Sequence, residues 1–108
     1  TPFTGTSVEY YEDGELHLRK EYIDGKKHGL WEEFFANNQL MTTGTFTNGI
    51  MDGLWESFYE NGNVFERGTL SNGIKEGLFE EFNENGAIKV NECFEMGKKI
   101  ELINCNDI

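Results

Sequence analysis

The sequence predicts an all-β protein, an elongated, single-layer, twisted antiparallel meander of about eight to nine strands. Three observations carry that expectation. Gly5, Gly29, Gly53 and Gly77 recur at a spacing of 24 residues and the segments after them align without gaps, so the chain holds four consecutive copies of one unit. Each copy has two turn dipeptides at fixed offsets, mostly Asn-Gly or Asp-Gly, the strongest short-range hairpin signal. Between turns the residues are aromatic, β-branched and alternating, and nowhere do apolar residues recur with the 3.6-residue period of a helix.

In chain order the units are residues 5–28, 29–52, 53–76 and 77–100, followed by 101–108 as an expected capping strand, with 1–108 forming one domain. The first unit is degenerate. Its Ser7-Val8-Glu9-Tyr10-Tyr11 replaces the pattern seen in Gly29-Leu30-Trp31-Glu32, Gly53-Leu54-Trp55-Glu56 and Gly77-Leu78-Phe79-Glu80, as terminal repeats do when they cap a stack. The turns fall at Asp13-Gly14, Asn37-Asn38, Asn61-Gly62 and Asn85-Gly86, and at Asp24-Gly25, Asn48-Gly49, Asn72-Gly73 and Met96-Gly97. All are expected to be two-residue type I′ turns, which need positive φ at both central residues.

Two-residue turns set the register. Asn61-Gly62 would pair Tyr59 with Val64, Trp55 with Gly68 and Gly53 with Leu70, and an even repeat length keeps side-chain parity from unit to unit. One face then collects the aromatic rings, with Trp31 expected over Gly44 and Trp55 over Gly68, where a ring covers bare backbone. On that face the candidate partner-binding residues are Tyr11, Trp31, Phe35, Phe46, Trp55, Tyr59, Leu70 and Phe79, because exposed aromatic residues are the usual interface anchors. The other face mixes Leu30, Phe34, Leu54, Phe58, Leu78 and Phe82 with Glu32, Glu56, Glu80, Arg19 and Arg67, and the register sets Glu56 opposite Arg67.

Twenty acidic against nine basic residues give a formal net charge of −11, which disfavours nucleic acid and anionic lipid and favours a protein partner with a basic surface. No apolar run approaches the length of a membrane span, and no signal-peptide pattern follows Thr1. A cytoplasmic location is slightly favoured; envelope anchoring or secretion requires that an N-terminal signal was removed. Cys93 and Cys105 are expected to stay unpaired, since a continuing strand would carry Cys105 five residues past Ile100 and onto the opposite face.

Catalytic chemistry finds no support. His17 and His28 are expected on the amphipathic face without a Ser or Cys partner, and His28 shares its repeat position with Asp52, Glu76 and Ile100, a variable polar site. Glu32, Glu56 and Glu80 recur too regularly for a general acid–base pair. The Asp, Asn and Gly residues of the turns do not follow calcium-loop spacing. No catalytic residue, metal or cofactor is assigned, and the chain is not expected to be an enzyme.

The segments Gly29-Leu30-Trp31-Glu32 and Tyr22-Ile23-Asp24-Gly25-Lys26-Lys27-His28-Gly29 resemble the MORN repeat family, most closely its bacterial MORN-variant branch, over about residues 5–100. That resemblance implies an elongated twisted sheet used for protein contacts, and in some eukaryotic members for lipid contacts; some bacterial members are antitoxins. Asn38 in place of a turn glycine and Met96 in place of Asn or Asp depart from the pattern, and scarce basic residues outside Lys26, Lys27, Lys98 and Lys99 argue against lipid. The expected function is a noncatalytic protein-interaction module, in its most specific form an antitoxin or immunity-type protein. The rival is a structural or scaffold repeat that self-associates into a homo-oligomer through sheet edges or faces.

Overall fold

The computed structural model describes residues 2–105. Its strands are β1 (Gly5–Tyr10), β2 (Leu16–Ile23), β3 (Lys26–Phe34), β4 (Leu40–Thr47), β5 (Ile50–Met51), β6 (Gly53–Phe58), β7 (Val64–Ser71), β8 (Ile74–Phe82), β9 (Ile88–Glu95) and β10 (Lys98–Ile100). Among the described residues they form one antiparallel sheet in the order β1-β2-β3-β4-β6-β7-β8-β9-β10, with β5 also pairing with β4. All the strands belong to that one sheet and no second sheet packs on it among the described residues, so the slab of 46 × 35 × 16 Å is a single twisted layer. The all-β single-layer meander is therefore observed as expected.

The turns are of two kinds, not one. Asp24, Asn48, Asn72 and Met96 have φ near +50° and the glycine after each is near +80°, as type I′ turns require. At the other margin the loops have three residues. Tyr59 N–H donates to the Asn63 carbonyl at 2.8 Å and Gly62 N–H to the Tyr59 carbonyl at 2.9 Å, with φ +92° at Gly62 alone, which is a type I turn closed by a left-handed residue. The same bonds recur around Tyr11, Phe35 and Asn83, with Asn38 at φ +73° in the glycine's place. Asp13, Asn37, Asn61 and Asn85 are used here for their side-chain oxygens, each accepting the N–H two residues on at 2.9–3.0 Å.

A three-residue loop slips the register by one, and a bulge next to it takes the slip back. Phe58 pairs with Val64, not Tyr59, but Phe65 is skipped and Ser57 meets Glu66, so Trp55 still faces Gly68 as expected. His17, Met41 and Lys89 are skipped in the corresponding hairpins. The bulge also corrects the expected face of His17, which stacks on Tyr11 at 4.3 Å and bonds Glu33 at 3.3 Å, a residue that shares its face with Trp31.

The repeat glycine has its own job. Trp31 pairs with Lys20 but Lys27 with Tyr22, so the β3 strand carries two extra residues around Gly29, and a like offset occurs around Gly53 and Gly77. Their φ values of +95°, +112° and +79° are open to glycine at little cost. Two extra residues bend the strand without flipping its faces.

Consecutive hairpins are stapled at both margins. At each I′ turn the first residue's N–H donates to a side chain 20 residues earlier, Asp24 to Thr4, Asn48 to His28, Asn72 to Asp52 and Met96 to Glu76. The position read as merely variable and polar at His28 thus requires an acceptor. At the opposite margin the Tyr11 and Tyr59 hydroxyls donate to the carbonyls of Phe34 and Phe82 at 2.6 and 2.7 Å. With only Phe82 and Cys93 buried among the apolar residues described, these neighbour-to-neighbour bonds do much of the work that a core does elsewhere.

The C-terminal end departs from expectation. Residues 101–108 do not add a capping strand within the described part; Leu102–Asn104 is a 3-10 turn, and 106–108 lie outside the described residues. The turn brings Cys105 back onto β9, where it forms a disulfide with Cys93 at a Cα separation of 5.8 Å. The expectation of unpaired thiols assumed a chain running straight past Ile100, and the reversal at Leu102 removes that assumption.

Candidate protein-interaction surface

Strand alternation sends Trp31, Trp55 and Phe79, spaced by one repeat, to the same face as Phe46, Leu70 and Phe94. Trp31 and Trp55 stack with centroids 5.6 Å apart and planes 13° from parallel, while Phe46 meets Trp31, and Phe94 meets Phe79, edge to face. Stacking of this kind needs small residues between the rings. Gly44 lies between Trp31 and Trp55, and Gly68 between Trp55 and Phe79. The covering ring is that of the later strand: a Cβ on Gly44 would stand 3.1 Å from Trp55, and one on Gly68 would collide with Phe79. This corrects the expected cover by Trp31 and Trp55, which considered each glycine's hairpin partner and not its other neighbour in the sheet.

The eight candidate residues are all half-buried, and they divide into two groups. Trp31, Phe46, Trp55, Leu70 and Phe79 form one central stripe. Tyr11, Phe35 and Tyr59 stand apart at the three-residue loops, where the two tyrosine hydroxyls are committed to holding the next repeat.

A groove of about 330 Å³ opens along the stripe, lined by Met51, Trp55, Leu70, Lys75, Phe79 and Val90 with Glu66, Arg67, Glu80, Glu81 and Glu92. Its charged residues and Met51 were absent from the candidates. Their signal was present in the repeat, since Lys27, Met51, Lys75 and Lys99 share one position, but polar residues escaped a search for aromatic anchors. Lys27 lies over the Phe46 ring at 5.1 Å, and Lys75 lies over Phe79 and Phe94 at 5.2 and 4.8 Å.

The other face carries the ion pairs of Arg19 and Arg67 beside exposed Leu30 and Leu54. Arg67 faces Glu56 in register, yet its guanidinium bonds Glu80 on the next strand at 3.0 Å and lies over the Phe82 ring. Arg19 reaches Glu32 at 3.7 Å. Partly exposed pairs like these contribute about 0.2–1 kcal/mol each. No group of metal-ligating side chains occurs among the described residues, and none of their helices is long and apolar enough to cross a membrane.

The family model of the MORN repeat variant matches residues 3–24, 27–48, 51–72 and 75–95. The chain belongs to the MORN repeat variant family. The matched segments open just ahead of the repeat glycines Gly5, Gly29, Gly53 and Gly77, and the first three close on Asp24, Asn48 and Asn72, the first residues of the I′ turns. MORN repeats are commonly protein-interaction or membrane-binding modules and generally noncatalytic. No curated protein sequence matches the chain.

Proposed function

We propose that this MORN-variant sheet is a noncatalytic module that binds a protein with a basic surface through its aromatic face. One observation carries the reading: the Trp31–Trp55–Phe79 stripe lies half-open on a sheet one layer thick, where a second layer would cover it in an ordinary domain. The net charge of −11 supports a basic partner. Masking of a basic toxin, in the manner of an antitoxin or immunity protein, is the most specific form of this function. The Cys93–Cys105 disulfide supports an oxidising compartment over the cytoplasm.

The test is partner capture on the immobilised protein and on a Trp55→Ala variant whose melt shows that it folds. Captured protein should be lost with the ring removed, and its binding should weaken as salt rises past physiological strength, where the Debye length is about 8 Å. Binding indifferent to both would move the contact to the other face or the edges. A second reading has its own observation, since the outer edge of β1 pairs with no strand among the described residues and most of its residues are exposed; sedimentation showing a concentration-dependent dimer would favour self-association.

A further inference from the structure

We propose that the groove at the middle of the aromatic face receives a lysine or arginine side chain from an extended segment of the partner, seated between the Trp55 ring and the carboxylates of Glu66 and Glu81. This rests on the interaction reading above and names the chemistry that the face recognises. The repeat itself supplies the first argument. Lys27 and Lys75 lie on aromatic rings of this face, and Lys99 pairs with Glu92 at 2.9 Å, so three of four equivalent positions provide a cation from the chain itself. Met51 occupies the fourth. It lies beside Trp55, both reaching the space above Gly44, and among the described residues no cation sits on that indole, the side chain that holds cations best.

The second argument is independent of the first. Glu66 and Glu81 are directly opposite each other on β7 and β8, a like-charge pairing that costs stability in a sheet. Every other opposed pair in that row has Leu18, Thr42, Ser57 or Val90 on at least one side. Glu81 has only the exposed Lys89 at 3.3 Å, and Glu66 has no ion-pair partner among the described residues. The one opposed acid pair of that row therefore lines the same groove as an indole that carries no cation among the described residues. At about 330 Å³ the groove is at the small end of ligand sites, suited to one long side chain with its adjoining backbone and not to a folded surface.

The probe is a blocked five-residue peptide of Gly and Ser with one central Lys, beside its Arg and norleucine analogues, titrated into the intact protein by amide and indole NMR. Lys and Arg peptides should give saturating shifts at the Trp55 indole N–H and the Glu66 and Glu81 amides, with the norleucine peptide at least about tenfold weaker. The double variant Glu66→Gln, Glu81→Gln should bind about tenfold more weakly while melting no lower than the parent, because a repulsive pair has been removed. Met51→Lys should weaken binding to a similar degree by placing an ammonium of the chain beside Trp55, where Lys75, which lies over Phe79 and Phe94, does not sit.

Three results would overturn the proposal: equal binding of norleucine, shifts spread evenly over Glu32 and Glu56 of the other face, or no shift at about 5 mM peptide, where a millimolar site would be mostly filled. A partner lost with Trp55→Ala but indifferent to the glutamine and lysine variants would keep the aromatic-face function and reject the cation receptor. A partner indifferent to all of them rejects both.

Discussion

At the margin formed by Asp24-Gly25, Asn48-Gly49, Asn72-Gly73 and Met96-Gly97, the chain reverses in two residues, and both have positive φ. At the opposite margin, Asp13-Gly14, Asn37-Asn38, Asn61-Gly62 and Asn85-Gly86 close three-residue loops in which only the last residue does. Asparagine appears at both, for different reasons. In the I′ turn its backbone tolerates the left-handed region, while in the longer loop its side-chain oxygen satisfies an N–H two residues on. The staples differ as well. The I′ margin relies on an acceptor at Thr4, His28, Asp52 or Glu76, and the other margin on tyrosine hydroxyls and asparagine amides. One dipeptide signal therefore serves two geometries, and what surrounds it decides which.

The largest expected effect tests the last I′ turn, where Met96 at φ +51° replaces the usual Asp or Asn and the Cys93–Cys105 disulfide anchors the chain just beyond β10. With a sequence separation of 12 between the cysteines, loop-closure entropy assigns the bond about 3 kcal/mol. Cys105→Ser should lower stability by about that much, and hydrogen exchange should speed up in β9 and β10 while the Asp13-Gly14 loop is unchanged. Uniform acceleration over all four repeats would mean that the bond supports the whole sheet and not its end.

Next in size is a matched pair of glycines, one from each margin. Gly97 and Gly86 have φ of +84° and +92°, so an alanine at either is strained by about 1–2 kcal/mol. A Cβ at Gly97 would also stand 2.9 Å from the Ile74 methyl, whereas nothing lies within 4 Å of one at Gly86. Thermal melts should rank Gly97→Ala below Gly86→Ala; the reverse order would show that the longer loops are the less forgiving margin.

The contrast between margins also explains how much could be read from the sequence. The repeat, the strands and the central register were legible because a 24-residue period is written directly in Gly29, Gly53 and Gly77, and because the bulge at Phe65 cancels the slip of the loop beside it. The loop type was not legible, since Asn61-Gly62 and Asn72-Gly73 are identical as dipeptides. The reversal at Leu102 lies beyond the last repeat and has no aligned copy to reveal it. Among candidate residues the central stripe followed from parity alone. The tyrosine staples did not, because a hydroxyl's partner one strand beyond the hairpin is a property of the sheet, and the groove's Met51, Glu66 and Glu81 carry meaning only when neighbouring repeats are superimposed.

A smaller effect separates the staples. Asp52→Ala removes the acceptor for the Asn72 N–H at 3.0 Å and should cost about 1 kcal/mol, as a lost turn or helix cap does. Tyr59→Phe removes the hydroxyl donor to the Phe82 carbonyl and keeps the ring, so its loss should lie within about 0.5–1.5 kcal/mol. A double-mutant cycle checks whether the two margins act separately: the costs should add to within about 0.5 kcal/mol, and a larger coupling would mean that adjacent hairpins dock as rigid units.

The smallest expected change is a gain. Met96 holds a left-handed φ of +51° with a long apolar side chain that is 81% exposed, so it pays the steric cost of that region and receives no packing in return. Asn48 and Asn72 hold the same conformation in the preceding repeats at φ +50° and +52°. Met96→Asn should therefore raise stability by up to about 1 kcal/mol, seen as a shift of a few degrees in the melt. The Met96 N–H bond to Glu76 at 3.0 Å is made by the backbone and survives the change, so the gain isolates conformational preference from hydrogen bonding. A melt lowered by the substitution would mean that the methionine side chain makes a contact worth more than the strain. The last turn would then be held by that contact, not by the I′ geometry it shares with the others.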